Sequence, residues 1–333
     1  MATATKDSKV FVIGTRRSQL ALAQAYLVRD ALAKKYPENE FKIEAMATTG
    51  DRILDVALSK IGEKSLFTKE LELALDDGRV DFVVHSLKDL PTVLEPGMEI
   101  GAILDRETPN DALVLAERTD KSYTLDTLPK GSVIGTSSLR RTAQIKRRRP
   151  DLEIKSVRGN IHTRISKLDD PENGVDALVL AAAGLIRVDL GGRINQYLDD
   201  AMLYAVSQGA LAIECRANDA RVKDLLKALD HLETRIVCTA ERAMMRELEG
   251  GCSVPIGVKT TFKGDTLTLD GLVASLDGKQ VAECKDQTTV DLAASMESKE
   301  AVAKELGVRV AQKLLSKGAD VILKEISESN KKP

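Results

Sequence analysis

The chain has 333 residues, 43% hydrophobic and 30% charged, with a formal net charge of -2. That length predicts two or three domains rather than one core. Aromatic residues make up 3% with no Trp, which excludes a base-stacking surface for single-stranded nucleic acid, and the near-zero net charge excludes a globally basic nucleic-acid binder.

Helical and strand-like patterns alternate through most of the chain. Residues 10–15 form a short apolar run. Over 18–36 the spacing is helical, with Leu20, Ala23, Leu27 and Ala31 on one stripe, Ser18 as N-cap and Pro37 just past the end. Residues 42–48 are strand-like, 66–77 predict a helix closed by Gly78, and 80–85 a buried strand. This β-α-β-α-β order predicts a largely parallel sheet with helices on both faces. A second unit repeats it: strand 133–135, helix 137–149 ended by Pro150, strand 152–157, helix 161–168 and strand 177–182. Segments 105–110 and 199–204 read as crossings between the units, with 211–215 returning to the first sheet.

From about residue 231 the pattern changes. A helix over 234–249 precedes Gly250-Gly251. Three strand-like runs follow, 254–262, 266–276 and 280–286, with turn signals at Lys263-Gly264-Asp265 and Asp277-Gly278. A helix over 298–315 closes the unit, and 327–333 reads as a polar tail. The expected fold class is α/β: two hinged doubly wound domains, periplasmic-binding-protein-like, plus a small α+β C-terminal domain with an antiparallel three-stranded sheet. The expected boundaries are 1–106 with 206–230, 107–205, and 231–333.

The N-terminal MATATKDSKV lacks the apolar core of a signal peptide, and no apolar run reaches bilayer length. Cys215, Cys238, Cys252 and Cys284 form no CxxC pair, and His85, His162 and His231 are far apart with no HExxH. A cytoplasmic protein with reduced thiols and no metal centre is expected. No nucleotide-binding glycine motif is present; Gly62-Glu63-Lys64-Ser65 lacks the upstream glycine and preceding strand of a phosphate loop. No heptad stripe calls for an oligomer, so a monomer is expected.

Arginines recur where strands pass into helices: Gly14-Thr15-Arg16-Arg17-Ser18, Gly135-Thr136-Ser137-Ser138-Leu139-Arg140-Arg141, and Val157-Arg158-Gly159-Asn160 with Arg164 one turn on. Helix N-termini offer free N–H groups, and guanidinium forks match carboxylates or phosphates. Three such junctions at strand carboxyl ends form the usual crevice of open α/β sheets, so a polyanion is the expected ligand. The run Lys146-Arg147-Arg148-Arg149 instead ends a helix and reads as a solvated terminus suited to the dipole. Ser86-Leu87-Lys88-Asp89-Leu90-Pro91 follows a buried strand. Asp89 there is either a general acid/base and cation stabiliser or half of an ordinary loop ion pair. In Glu249-Gly250-Gly251-Cys252-Ser253 two glycines free the backbone beside Cys252, which is either a buried small hydrophobe or an attachment point.

Taken together, GTRRSQLA at 14–21, GEKSLFTKELE at 62–72, VVHSLKDLPT at 83–92, GTSSLRR at 135–141, RGN at 158–160, SQGALAIE at 207–214 and LEGGCSVP at 248–255 resemble the porphobilinogen deaminase family. The resemblance runs in order over about residues 10–260; beyond that only the general character agrees.

It implies head-to-tail condensation of four porphobilinogen molecules with loss of ammonia, giving hydroxymethylbilane. It also implies a dipyrromethane cofactor on a thioether, which falls on Cys252, and a catalytic aspartate, which falls on Asp89. The cofactor's acetate and propionate groups fall to Lys88, Arg140, Arg141 and Arg164, with Thr136 and Ser137 hydrogen bonding. The incoming substrate falls to Arg16, Ser18, Arg158 and Arg187. Arg17 stands where the family often has Lys. Each pyrrole carries two carboxylates, which fits a basic crevice in a chain of net negative charge. Residues 49–64, glycine-bounded and polar, are expected to form a mobile flap. Two other readings remain open on the residues alone: a non-catalytic two-domain anion-binding module, and a cysteine-nucleophile transferase, which would need a base beside the thiol.

Overall fold

The computed structural model describes residues 10–48, 68–248 and 254–331. The segment 49–67, which holds the expected flap at 49–64 and the Gly62–Ser65 stretch, and Cys252 lie outside them. The described strands are β1 (Val10–Arg16), β2 (Glu40–Met46), β3 (Phe82–Ser86), β4 (Met98–Ile103), β5 (Asp111–Leu115), β6 (Val133–Gly135), β7 (Glu153–Lys155), β8 (Ala177–Ala181), β9 (Gln196–Tyr197), β10 (Leu211–Arg216), β11 (Ile256–Lys263), β12 (Thr266–Ala274) and β13 (Val281–Thr289). They form two five-stranded sheets and one three-stranded sheet.

The chain divides into two compact units. One holds the described residues up to Asp105 and Leu211–His231; the other holds Arg106–Ala210 and the chain from Leu232 onward. The chain passes from the first to the second unit between Asp105 and Arg106. The return falls at Ala210/Leu211, later than 199–204. Tyr204 stays in the second unit because its backbone exchanges hydrogen bonds with Val258 in the C-terminal sheet.

The first unit's sheet has the order β2-β1-β3-β10-β4. β1 is parallel to β2 and β3, while β10 runs antiparallel to β3 and β4. Alternate side chains of β1 serve opposite faces. Phe11 and Ile13 pack with Val28 and Leu32 of helix Gln19–Lys35 and with Val222 and Leu226 of helix Ala220–Leu226. Val12 meets Leu71, Ala74 and Leu75, with Val83 of β3 in the same cluster. Helix Gln19–Lys35 begins as expected, with Ser18 Oγ accepting from the Ala21 amide at 3.3 Å. Its buried stripe is Ala21, Gln24, Ala25, Val28 and Leu32, not the Leu20-Ala23-Leu27-Ala31 stripe; Leu27 is 45% exposed. Apolar residues surround this helix, so two neighbouring stripes have helical spacing. Packing on β1 and β3 selects the one carrying Val28 and Leu32.

In the second unit the sheet order is β7-β6-β8-β5-β9. β6 is parallel to β7 and β8, and β5 is antiparallel to β8 and β9. Ala112 and Val114 of β5 face Ile165, Leu168 and Leu185; Leu113 and Leu115 face Ile145, Leu125 and Leu128. Each large sheet is therefore mixed. The expected largely parallel sheets did not allow for the direction of β5 and β10: these strands follow the passages between units, join no β-α-β crossover, and run antiparallel to their neighbours.

The C-terminal part is an antiparallel sheet, β11-β12-β13. Its core also takes Ile236, Ala240 and Met244 from helix Leu232–Glu247, and Leu306, Val310 and Leu314 from helix Met296–Leu314. A further helix, Asp320–Lys331, which the sequence reading did not foresee after 298–315, buries Ile322 and Ile326 on this core and runs on into the polar residues from Ser327. Gly318, at φ 95°, turns the chain between the two helices. A two-residue apolar stripe in a lysine- and serine-rich segment is a weak periodic signal. Among the described residues no helix is long and apolar enough to cross a membrane.

Candidate functional site

In the first unit, β1, β2 and β3 all end on one edge. Arg16 closes β1 opposite Met46 of β2, and Ser86 closes β3. The chain then turns as the 3-10 segment Leu87–Asp89. Leu87 is fully buried, Lys88 half-buried and Asp89 exposed. The buried leucine anchors the turn, which leaves the Asp89 carboxylate at the surface. The preceding residue is fixed as well: Gln24 Nε2 donates to Ser86 Oγ at 2.8 Å, and the hydroxyl returns a 3.2 Å bond to Gln24 Oε1. Thr15 Oγ1 donates to the Ala21 carbonyl at 3.1 Å, tying the end of β1 to the helix that Ser18 caps. Arg16, Ser18, Lys88 and Asp89 therefore share the carboxyl edge of this sheet. Because β10 is antiparallel, its first residue Leu211 lies at the same edge, opposite Ser86.

The second unit has the same grammar. Thr136 follows β6, is buried, and accepts at Oγ1 from the Ser138 amide at 3.3 Å; Ser137 beside it is exposed. Helix Leu139–Arg148 then puts Arg140 and Arg141 in its first turn. A helix N-terminus repels cations, so burial of both guanidiniums there needs compensation. Asp111, the first residue of antiparallel β5, supplies it, because its register opposite Ala181 brings it to the carboxyl end of β8. Arg140 Nη1 donates to Asp111 Oδ2 at 2.6 Å and its Nη2 to Oδ1 at 3.2 Å; Arg141 Nε and Nη2 donate to Oδ1 at 3.0 and 2.8 Å. Arg140 and Arg141 are 4% and 6% exposed and Asp111 1%. Burial alone would raise the Asp111 pKa, but the two guanidiniums outweigh it and hold this carboxylate far below its ordinary range. Gln208 Nε2 adds a 2.9 Å bond to Asp111 Oδ1 and a 2.7 Å bond to the Pro109 carbonyl.

Arg158 and Gly159 follow β7, and Asn160 caps helix Ile161–Asp169 by accepting from the Thr163 amide at 2.8 Å. Arg164 Nε donates to the Gly159 carbonyl at 2.8 Å, so its side chain lies back over that turn. Arg187 ends helix Ala182–Arg187 after β8, and its Nη2 donates to the Gly209 carbonyl at 2.7 Å. Burial lowers its pKa, partly offset by Glu107. Thr136, Ser137, Arg140, Arg141, Arg158, Arg164 and Arg187 are thus gathered by the carboxyl ends of parallel β6, β7 and β8.

Lys146–Arg149 lies at the end of helix Leu139–Arg148, as the sequence reading had it. Arg147 pairs with Glu283 and Arg148 with Asp126, while Arg149 bonds Asp151 and the carbonyls of Leu125, Asp126 and Leu128. Arg147 and Arg148 stay exposed, so the run is a solvated terminus whose three arginines are ion-paired. Cys215 and Cys238 are buried as expected, and burial pushes both thiols up to about 12. Sequence reasoning missed Asp111, Gln208 and Gln24. The first had a visible signal: a lone carboxylate opening the apolar run Ala112–Leu115.

Residues 11–224 match the family model "Porphobilinogen deaminase, dipyromethane cofactor binding domain", and 235–316 match "Porphobilinogen deaminase, C-terminal domain". A porphobilinogen deaminase of Synechococcus elongatus is 53% identical over 94% of this chain and 94% of its own length. Relatives of the same name from Nostoc sp. and Prochlorococcus marinus are 52% and 50% identical, over 94% and 95% of this chain and 94% and 97% of theirs. Among solved structures, the methionine binding protein MetQ shows a TM-score of 0.42 at 13% identity, covering 68% of this chain and 92% of that one. With two family models in tandem and relatives matched over nearly their whole length, the chain belongs to the porphobilinogen deaminase family.

Proposed function

We propose that this chain is a porphobilinogen deaminase (hydroxymethylbilane synthase). It is a transferase of tetrapyrrole biosynthesis that joins four porphobilinogen molecules head to tail with release of ammonia. The observation that carries the reading is the full-length match to enzymes of that name at 50–53% identity. Those relatives make the non-catalytic anion-binding alternative unfavoured. Monomeric state and cytoplasmic location belong to the same proposal.

The donor set suits a dipyrromethane cofactor. Two buried guanidiniums facing one carboxylate leave a surplus positive charge inside the protein, and a ligand rich in carboxylates supplies the missing counter-charge. We assign Lys88, Arg140, Arg141 and Arg164 to the cofactor's acetate and propionate groups, with hydrogen bonds from Thr136 and Ser137. When bound through Cys252, this group supplies a primer with a free pyrrole α-carbon. Arg16, Arg158 and Arg187 hold the carboxylates of the incoming porphobilinogen. Ser18 Oγ is already an acceptor for its helix, which leaves its O–H to donate to the same carboxylates. Loss of ammonia from porphobilinogen leaves a cationic, electron-poor pyrrole. We assign to the Asp89 carboxylate the stabilisation of that charge on the ring nitrogen and assistance to proton transfer. Cys252 anchors and does not turn over.

Intact-protein mass tests the reading. The purified enzyme should carry an adduct of two pyrrole units, absent from Cys252→Ala, and should convert porphobilinogen. An unmodified chain with full activity would sink it.

A further inference from the structure

We propose that Asp111 is a positioning residue. It aims Arg140 and Arg141 and leaves the pair with one net positive charge, matched to a single carboxylate of a pyrrole-bearing ligand. This rests on the reading above and adds to it a residue that contacts neither substrate nor cofactor.

Two features distinguish this cluster from an ordinary structural ion pair. Its charges do not balance. Two guanidiniums and one carboxylate, all at most 6% exposed, leave one positive charge buried without a partner among the bonded groups. Uncompensated buried charge is costly unless a ligand completes it, and the arginines stand in the first turn of a helix, where the dipole opposes them.

The second feature is how the donors are divided. Each guanidinium has five N–H groups. Asp111 takes four of the ten, and the Leu203 and Val179 carbonyls take one each, from Arg140 Nη1 and Arg141 Nη1. Asp111 thus holds both forks from one side while Nε of Arg140 keeps its hydrogen for another acceptor. Asp111 is itself fixed at its Oδ1 by Gln208, whose amide is also tied to Pro109. A carboxylate so placed sets the direction of both arginines before any ligand arrives, which is the preorganisation that oriented catalysis requires.

The test compares melting temperatures of adduct-bearing enzyme and Cys252→Ala apoprotein, each with Asp111 or with Asp111→Asn. Without Asp111 the buried pair carries two positive charges, and ligand carboxylates become its only counter-ions. The gap between adduct-bearing and apo forms should therefore widen in the Asp111→Asn background. An equal gap in the two backgrounds overturns the inference.

If Asp111→Asn yields no folded protein, Asp111→Glu carries the test, because it keeps the charge and displaces the forks. Its kcat per adduct-bearing molecule should fall roughly tenfold or more with KM little changed and the adduct retained. Wild-type kcat in that variant overturns the proposal. Absence of an adduct from the wild-type enzyme would instead defeat the proposed function, so the two failures are separable.

Discussion

His85 Nε2 lies 2.9 Å from Glu214 Oε2 within the first sheet, on adjacent antiparallel strands β3 and β10, and both side chains are buried. The pair sits one residue before Ser86, so it braces the strand end from which Lys88 and Asp89 project. Glu214 Oε1 is buried with no hydrogen-bond partner, so the histidine is the carboxylate's main support. His85→Leu would leave both oxygens unsatisfied, whereas Glu214→Gln keeps a polar contact at the same place. His85→Leu should destabilise by about 1–3 kcal/mol in urea unfolding, and Glu214→Gln by clearly less. Equal losses would mean that burial of the carboxylate is compensated elsewhere.

Glu72, buried on helix Lys69–Asp76, lies in the field of the same pair. Burial raises its pKa above the ordinary 4.5, the neighbouring Thr68 opposes this, Glu214 raises it further, His85 lowers it and Glu95 raises it. The sign follows from linkage. A carboxyl whose folded-state pKa is raised binds its proton more tightly when folded. Its contribution is thus fully present below the unfolded value and lost as pH rises through the raised one. Glu72→Gln removes that loss. The stability of the variant relative to wild type should therefore increase as pH rises past the ordinary 4.5 and level off above the raised folded-state value. A difference that stays flat over this range would show that Glu72 titrates normally.

Much of this was legible because strand–helix junctions leave local marks. Ser18 and the glycine of Gly78 announced helix ends through capping chemistry, and the apolar runs at β1, β3 and β8 were unambiguous. What stayed hidden depended on partners far away in the chain. The buried stripe of helix Gln19–Lys35 is chosen by β1 and β3, not by its own periodicity. Arg140 and Arg141 read as anion-binding residues, but the carboxylate that aims them lies some 30 residues upstream on a strand running the other way. No spacing rule links Asp111 to that helix. Likewise His85 and Glu214 are 129 positions apart, and only strand pairing makes them neighbours.

Gly209 tests how tightly the return to the first unit is built. Its φ is +88°, and a Cβ there would lie 2.2 Å from the Glu107 carbonyl oxygen. Both terms oppose a side chain: left-handed backbone costs of order 1 kcal/mol, and the clash is with backbone that cannot swing away. Arg187 also bonds the Gly209 carbonyl, so a shift here would move a proposed substrate ligand. Gly209→Ala should lose more than about 2 kcal/mol in denaturant unfolding and raise KM for porphobilinogen. Gly192→Ala is the control, since nothing lies within 4 Å of its Cβ position and its φ is not positive. It should change stability by less than about 0.5 kcal/mol. Similar behaviour of the two variants would contradict the steric account.

Asp89 is exposed and ends a turn anchored by Leu87 and by the Gln24–Ser86 pair, so its removal should not disturb the fold. This separates its chemical role from a structural one. Asp89→Ala should keep the two-pyrrole mass adduct and unfold at the wild-type urea concentration, yet lose about 10²–10⁴ in kcat, the range of one positioned acid or base. Asp89→Glu restores the carboxylate at a changed distance and should recover part of the rate. Asp89→Asn, which keeps size and hydrogen bonding but not charge, should stay near the alanine level, because a neutral amide cannot stabilise a cationic pyrrole. If Asp89→Asn turned over like wild type, charge at this position would be irrelevant and the acid–base role would have to pass to another group.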